Sequence, residues 1–406
     1  MVQIYVPGYD NSPSIEQILR PISYMSWLMG VGVARPRKCS KFVTIIIRIL
    51  HLVFCSSFLL YILHKTYISD IYRNQFSTEI YLVYIINHTI YFVSAYCNIY
   101  HGIRQYNKWP ELMDKIKKFD RKIKRETYTN DYLVEAIELI AIFMTFVYFL
   151  LYMCVIIYFF TGYSIVQKLM ICLHYYIIAR SLINSFVFDI VVYVLYRRHQ
   201  TINKLIDHLD ELSNAPLIAL KIRCIRELHN DICDLVTMVN DMHSIYLLLC
   251  SANCFFTLTV SLFHICKFDD NLNTFNIYAF DIYMNLITYN IQIGLICWIC
   301  TLVRQEFNKT KIIICTIALK CKLHNWNCVM KNSILLHQFL DQNRVRNEIN
   351  DFFIQLQNRH VSFTACGFFE MNNNLLCNVS TKFIYVIKFS KIRYFRIAVE
   401  KCSRNH

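Results

Sequence analysis

Arg180 lies deep inside a long apolar run, Leu169 to Tyr196, with Tyr175 and Tyr176 one turn before it and Asn184 one turn after. A guanidinium in such surroundings needs a carboxylate, backbone carbonyls or water, and an ionisable residue at membrane depth reads first as functional. Counted from the outer end of its run, Arg180 is roughly 16 Å deep at 1.5 Å per residue, near the middle of a bilayer. Two other apolar runs carry polar insertions: Asn87 and His88 between Tyr84 and Tyr91, and Asn285 with Tyr289 and Asn290. Donors and acceptors set among aromatic rings are what a pocket for a small organic molecule requires. The expected ligand contacts are Tyr84, His88, Tyr91, Tyr176, Arg180, Asn285 and Tyr289, with polar networks and plain packing as the alternative. Arg48 and Asp189 lie near the ends of their runs, where Arg48 can reach lipid headgroups, and are assigned no ligand role.

A second group of chemically active residues closes the chain. From Val361 to Phe389 the sequence mixes apolar and polar residues, and its run Phe383 to Ile387 is held between Lys382 and Lys388. A lysine at the bilayer centre costs about 2.5–3.5 kcal/mol, so this helix is expected to face other protein or a watery pore rather than lipid.

The elements that position these residues follow from composition. The chain has 406 residues, 56% of them hydrophobic and 15% aromatic, with only 7 Gly and 6 Pro, which excludes an ordinary soluble domain. The 18 cysteines are scattered through apolar runs and basic loops without a repeating spacing, so they read as packing residues rather than a disulfide framework. Six apolar segments are long enough to cross a bilayer: Phe42 to Leu63, Ile80 to Tyr100, Ile137 to Phe160, Leu169 to Tyr196, Ile245 to Cys266 and Ile277 to Val303. The closing stretch makes a seventh. The fold class expected is all-α, a polytopic membrane protein of seven transmembrane helices.

Orientation follows from Lys and Arg outside the spans. The N-terminal arm has 5, and the six connections carry 2, 9, 1, 6, 1 and 9 in order. By the positive-inside rule this places the N-terminus and the long connections in the cytoplasm, and seven spans then place the C-terminus outside, an inverted topology. The expected regions are a cytoplasmic arm at 1–41, a six-helix bundle at 42–303, a cytoplasmic anchor at 304–364, a pore-lining helix at 365–389 and a basic tail at 390–406. Between Arg198 and Ser244, and again from Glu348 to Phe363, apolar residues recur every three or four positions, predicting amphipathic helices that extend the spans into the cytoplasm.

The stretch Glu348 to Leu376, EINDFFIQLQNRHVSFTACGFFEMNNNLL, resembles the end of an insect gustatory receptor. That family closes with Phe-Thr-Ala-Cys-Gly-Phe-Phe, matched by Phe363 to Phe369, then Thr-Tyr, five apolar residues and Gln-Phe. Thr381, Phe383 to Ile387 and Phe389 keep the second part in register, while Lys382 and Lys388 replace its Tyr and Gln. The resemblance implies a plasma-membrane, ligand-gated, non-selective cation channel, assembled as a homo- or heterotetramer of related subunits and opened by a small-molecule tastant. It implies an anchor that includes Phe363, Gly367, Phe368 and Phe369, and a pore lined by Thr381, Lys382, Phe383, Tyr385, Lys388 and Phe389. Neither a cofactor nor a nucleic acid is implied. An odorant receptor of the same superfamily and a non-conducting copy are the nearest alternatives. A secondary transporter is a more distant one, since the two halves show no matching broken helices. Histidines at 199, 208 and 229, with Asp231 and Asp234, are the nearest approach to a catalytic set, but they read as solvated faces of amphipathic helices rather than an enzyme site.

Overall fold

The computed structural model describes residues 15–68, 78–124, 132–159, 164–211, 215–268, 277–329, 336–378 and 381. Two short helices, α1 (Ile15–Ile18) and α2 (Arg20–Leu28), precede α3 (Lys41–Ile68), α4 (Thr78–Arg104), α5 (Lys108–Lys124) and α6 (Tyr132–Phe159). Then come α7 (Ile165–Asp207), closed by a 3-10 turn at His208–Glu211, and α8 (Ala215–Phe268), α9 (Ile277–Val329) and α10 (Leu336–Asn358). Among the described residues, β-structure is limited to one isolated bridge between Thr364 and Glu370.

The described residues of each of the six predicted runs fall inside one long helix; Phe160, the last of the third run, lies outside the described residues. Four stretches with described side chains are long and apolar enough to cross a membrane: Lys41–Tyr61, Tyr175–Asp207, Pro216–Ser261 and Met284–Leu319. Of the apolar window, 72% is buried in α7 but only 22% in α3, so α7 is the central helix and α3 lies at the periphery. The outer faces of α3 and α6 present rows of exposed apolar side chains, including Phe42, Ile46, Leu50, Phe54, Ile140, Phe143 and Leu150. Such continuous apolar surface is far larger than a soluble monomer shows and suits contact with lipid.

The helices are longer than a membrane requires. At 1.5 Å per residue the 43 residues of α7 span about 65 Å, and the 54 of α8 about 81 Å, against roughly 30 Å of hydrocarbon. The excess forms the extensions that the apolar spacing predicts. There Ile222, Ile225, Leu228, Ile232 and Val239 of α8 are buried, as are Ile349, Phe352 and Leu356 of α10. The spacing predicts the last extension over Glu348 to Phe363; the helix ends at Asn358, and the chain beyond turns to insert Phe363 separately.

The N-terminal arm is part of the packed unit from Ile15 onward. Ile15, Ile18, Leu19 and Ile22 are buried in the same cluster as Trp109, Leu112, Met113, Ile116 and Phe119, the apolar stripe of α5. Glu138 of α6, almost fully buried, accepts a hydrogen bond from the Ile22 amide at 2.8 Å. A carboxylate there satisfies one of the orphan amides in the first turn of α2 and complements its dipole.

At the extended end His199 and His229 are not solvated, whereas His208 is exposed. His199 and His229 are both fully buried, with His199 stacked on Phe307 at 3.9 Å and His229 edge-on to Phe307 and Phe352 at 5.3 and 5.4 Å. The sequence shows polar residues at these positions but not that four helices close over them. Asp231 and Asp234 do face outward, each in an ion pair, with Lys122 at 2.5 Å and Arg359 at 2.9 Å. His199 Nε2 meets the Thr310 hydroxyl at 2.8 Å, and that hydroxyl lies 2.6 Å from the Asn203 side-chain oxygen. Thr310→Val is therefore expected to leave two buried groups without partners, lowering stability by about 1–3 kcal/mol. Thermal unfolding of the detergent-purified protein measures it; a midpoint equal to the parent's would show the Thr310 hydroxyl is dispensable.

Candidate functional site

The interior of the bundle is organised by the turn that follows α2. Amides of Met29, Gly30 and Val31 close back on the carbonyls of Met25, Trp27 and Ser26 at 2.9–3.0 Å, capping the helix end. Gly30 and Gly32 both have positive φ, +64° and +59°, so the chain reverses twice within three residues. A Cβ on Gly30 would strike the His51 ring, and one on Gly32 the Asn184 side chain. Glycine is required at both positions by backbone angle and by space.

Two arginines from different helices take the carbonyls this turn presents. Arg48 of α3 donates to the Gly32 oxygen at 2.7 Å, and Arg180 of α7 donates to the Gly30 oxygen at 3.3 Å and to the Cys55 sulfur at 3.2 Å. Arg48, 1% exposed, points inward and does not reach for headgroups as its position near the span end suggests. The backbone carbonyls explain why: their fixed dipoles solvate a guanidinium where lipid would not. His51 lies beside them, its Nε2 against the Leu28 carbonyl at 2.9 Å and its Nδ1 against the Tyr176 hydroxyl at 3.0 Å. A carbonyl only accepts, so the Nε2 carries the proton and Tyr176 donates to Nδ1.

Both guanidiniums retain unused capacity. Nε and one terminal nitrogen of Arg48, Nε of Arg180 and both amide atoms of Asn184 are buried without a hydrogen-bond partner. Among the described residues no carboxylate pairs with either arginine. The arrangement is thus a buried, positively charged node with donors to spare, suited to a partner rich in oxygen acceptors.

A second polar layer ties α7, α8 and α9 together. The Ser181 carbonyl accepts from the Tyr246 hydroxyl and from the Gln292 amide, both at 3.3 Å, and Gln292 also donates to the Tyr246 oxygen at 2.9 Å. Asn253 of α8 donates to Ser94 of α4 at 3.0 Å. Neither carboxylate oxygen of Asp189 has a hydrogen-bond partner of good geometry, although the position is well inside the helix bundle.

Of the seven expected ligand contacts, Tyr176 and Arg180 come together in the first node. Asn285 and Tyr289, both buried, stand on α9, where the Tyr289 carbonyl lies 3.7 Å from the Cys254 thiol. Tyr84, His88 and Tyr91 belong to α4, and their side chains lie outside the described residues. Arg48, His51, Gly30 and Gly32 complete this node and were not among the contacts that the sequence pointed to. The glycine pair in the segment WLMGVG was the one available signal, since two glycines so close after a helix imply a tight turn.

The stretch Phe363 to Phe369 forms a rigid joint. Thr364 and Glu370 bridge, the Met371 amide donates to the Phe363 carbonyl at 2.8 Å, and Cys366 and Gly367 turn the chain with φ of +52° and +77°. Phe363 is buried edge-on to Phe188 at 5.6 Å, Phe369 packs against the core, and Phe368 is 78% exposed. The joint is clamped on two sides: Asn240 of α8 accepts from the Thr364 amide at 2.8 Å, and Arg304 of α9 pairs with Glu370 at 2.5 Å. Asn372 then caps a helix whose described part is 373–378, and the Thr301 hydroxyl accepts from the Asn373 amide at 3.0 Å. The last helix thus begins eight residues after the expected 365, because the motif is spent on the joint. Thr381 is exposed, its hydroxyl donating to the Cys377 carbonyl at 2.7 Å. Lys382, Phe383, Tyr385, Lys388 and Phe389 lie outside the described residues.

Long apolar helices, a polar interior and a clamped C-terminal joint define a multi-span helical membrane protein. The chain belongs to the 7tm chemosensory receptor family, whose profile matches residues 19–332 and 327–387. It is similar in fold to the insect olfactory receptor OR5 from Machilis hrabei in complex with eugenol, with a TM-score of 0.61 at 14% identity over 93% of this chain and 97% of that one. A second structure of the olfactory receptor OR5 from Machilis hrabei aligns with a TM-score of 0.55, at 14% identity over 92% and 97% of the two chains. No curated protein matches the chain in sequence.

Proposed function

We propose that the chain is a gustatory receptor, a plasma-membrane subunit of a tetrameric, ligand-gated, non-selective cation channel with cytoplasmic N-terminus and outward C-terminus. The observation that carries this reading is the joint at Thr364–Glu370, which fastens the start of the last helix to α8 and α9. Movement of those helices around a ligand would then pass directly to the helix proposed to line the pore. The residues that build the joint are the ones that resemble gustatory receptors. An odorant receptor is the second reading, favoured by the likeness in fold to an olfactory receptor.

The ligand is proposed to be a small molecule with oxygen acceptors, held among Tyr176, Arg180 and the polar groups of α4 and α9. Arg180→Gln and Tyr176→Phe are expected to raise the agonist concentration for half-maximal current about tenfold, the loss of one charge-assisted hydrogen bond. Whole-cell recording with a panel of plant compounds, alongside surface labelling, measures this. Parent receptor present at the surface but silent to every compound would overturn the channel reading. An unshifted response in both variants would overturn the pocket alone. Lys382 and Lys388 would form rings of positive charge in a four-fold pore, which oppose cations. Reversal potentials under ion substitution test that: a cation preference unchanged by Lys388→Gln would remove the lysines from the conduction path.

A further inference from the structure

A cavity of about 310 Å³ lies between α1 and α2, the loop 35–38 and α5, away from the ligand node. Arg20, Arg35, Arg37, Lys38 and Lys117 line it, against a single acid, Glu16. Arg37 is already paired with Glu16 at 3.3 Å and Asp114 at 2.5 Å. The other four have no carboxylate partner among the described residues. Arg35 is buried, its guanidinium 3.6 Å from the centre of the Tyr106 ring and donating to the Tyr106 carbonyl at 3.0 Å. Burial lowers its pKa from the ordinary arginine value.

Four cations converging without counter-charge suit a multiply charged anion better than a single carboxylate. The position indicates where that anion comes from. Phe42, 71% exposed, stands four residues beyond Lys38 and begins the lipid-facing row of α3, and Leu28 on α2 is exposed as well. The cavity therefore opens at the level where apolar surface gives way to polar, the depth of lipid headgroups. Basic pockets on the cytoplasmic side of membrane helices are built to hold phosphorylated headgroups.

We propose that this cavity binds the headgroup of a phosphoinositide in the inner leaflet, an assignment that rests on the cytoplasmic N-terminus proposed above. Because α2 runs from the cavity into the Gly30–Gly32 turn, an occupied cavity would steady the carbonyls that hold Arg48 and Arg180.

The test uses the full-length protein in phosphatidylcholine nanodiscs, titrated with dioctanoyl phosphatidylinositol 4,5-bisphosphate and followed by calorimetry. Arg20→Gln with Lys117→Gln is expected to weaken binding about tenfold or more. Lys118→Gln with Arg121→Gln, removing equal charge from exposed positions of α5 outside the cavity, should stay within about twofold. Lys38→Gln, in a loop, provides a second reading should the first pair unfold. Equal loss in both double variants, or equally tight binding of phosphatidylglycerol at matched charge, overturns the proposal. Inositol 1,4,5-trisphosphate binding as tightly as the lipid overturns the membrane source and leaves a soluble polyphosphate as ligand. Nanodisc binding does not depend on orientation, so an error of topology appears separately, as an N-terminal epitope tag reached in intact cells.

Discussion

Gly102→Ala is expected to remove most of the receptor from the cell surface. The added methyl would meet the Arg48 guanidinium and, behind it, the Gly32 carbonyl oxygen. An arginine tip can swing aside, but a backbone oxygen cannot, so α4 would have to withdraw from the turn. Overpacking of this kind costs about 1–3 kcal/mol, and separating Arg48 from its carbonyl adds roughly 1–3 kcal/mol for a buried charged group. Losses of that size reduce cellular abundance several-fold through quality control. Gly294→Ala is the matched control, since a Cβ there meets only Leu376 at 3.9 Å. Surface biotinylation of the two variants decides the matter: similar levels for both would mean that the Gly102 contact does not constrain the fold.

The second large effect belongs to Arg198. Its guanidinium grips Asp120 of α5 in two parallel bonds, 2.7 and 3.2 Å, and the two side chains are only 2% and 12% exposed. Breaking a buried ion pair from one side costs about 3–5 kcal/mol. Set against a native margin of roughly 5–15 kcal/mol, Arg198→Ala should lower the unfolding temperature of purified protein markedly. Arg198→Lys should recover part of it, because an ammonium keeps the charge without the fork. Arg198→Met with Asp120→Leu should recover more, since no charge is then stranded. A double variant no more stable than Arg198→Ala would contradict the ion-pair explanation. The pair of Arg226 with the exposed Asp351 differs in kind, and its loss should cost under about 1 kcal/mol.

The long helices were legible because their apolar runs outlast the local signals at their ends. The extensions of α7 and α8 were legible for a related reason: Ile222, Ile225, Leu228 and Ile232 keep helical spacing beyond the membrane. The direction of a long side chain was not. Arg48 near the end of a span has the same sequence signature whether it snorkels outward or turns in, and only the Gly32 carbonyl, 16 residues earlier, decides. His199 and His229 failed in the same way, since amphipathic spacing identifies one buried face and cannot register a second partner covering the polar one. The motif Phe363 to Phe369 was legible as a pattern but not as a joint, because Cys366 at positive φ gives no sign in composition.

The Gly30–Gly32 turn also sets an order on biosynthesis. Its α7 partner comes from far along the chain: Arg180 bonds across 150 residues. At a synthesis rate of about 5–20 residues per second, Arg180 leaves the ribosome roughly 8–30 s after Gly30. Throughout that interval Arg48 is committed to the membrane with one carbonyl to hold it and no α7 to enclose it. The amino-terminal segment therefore cannot complete its packing until α7 has been made.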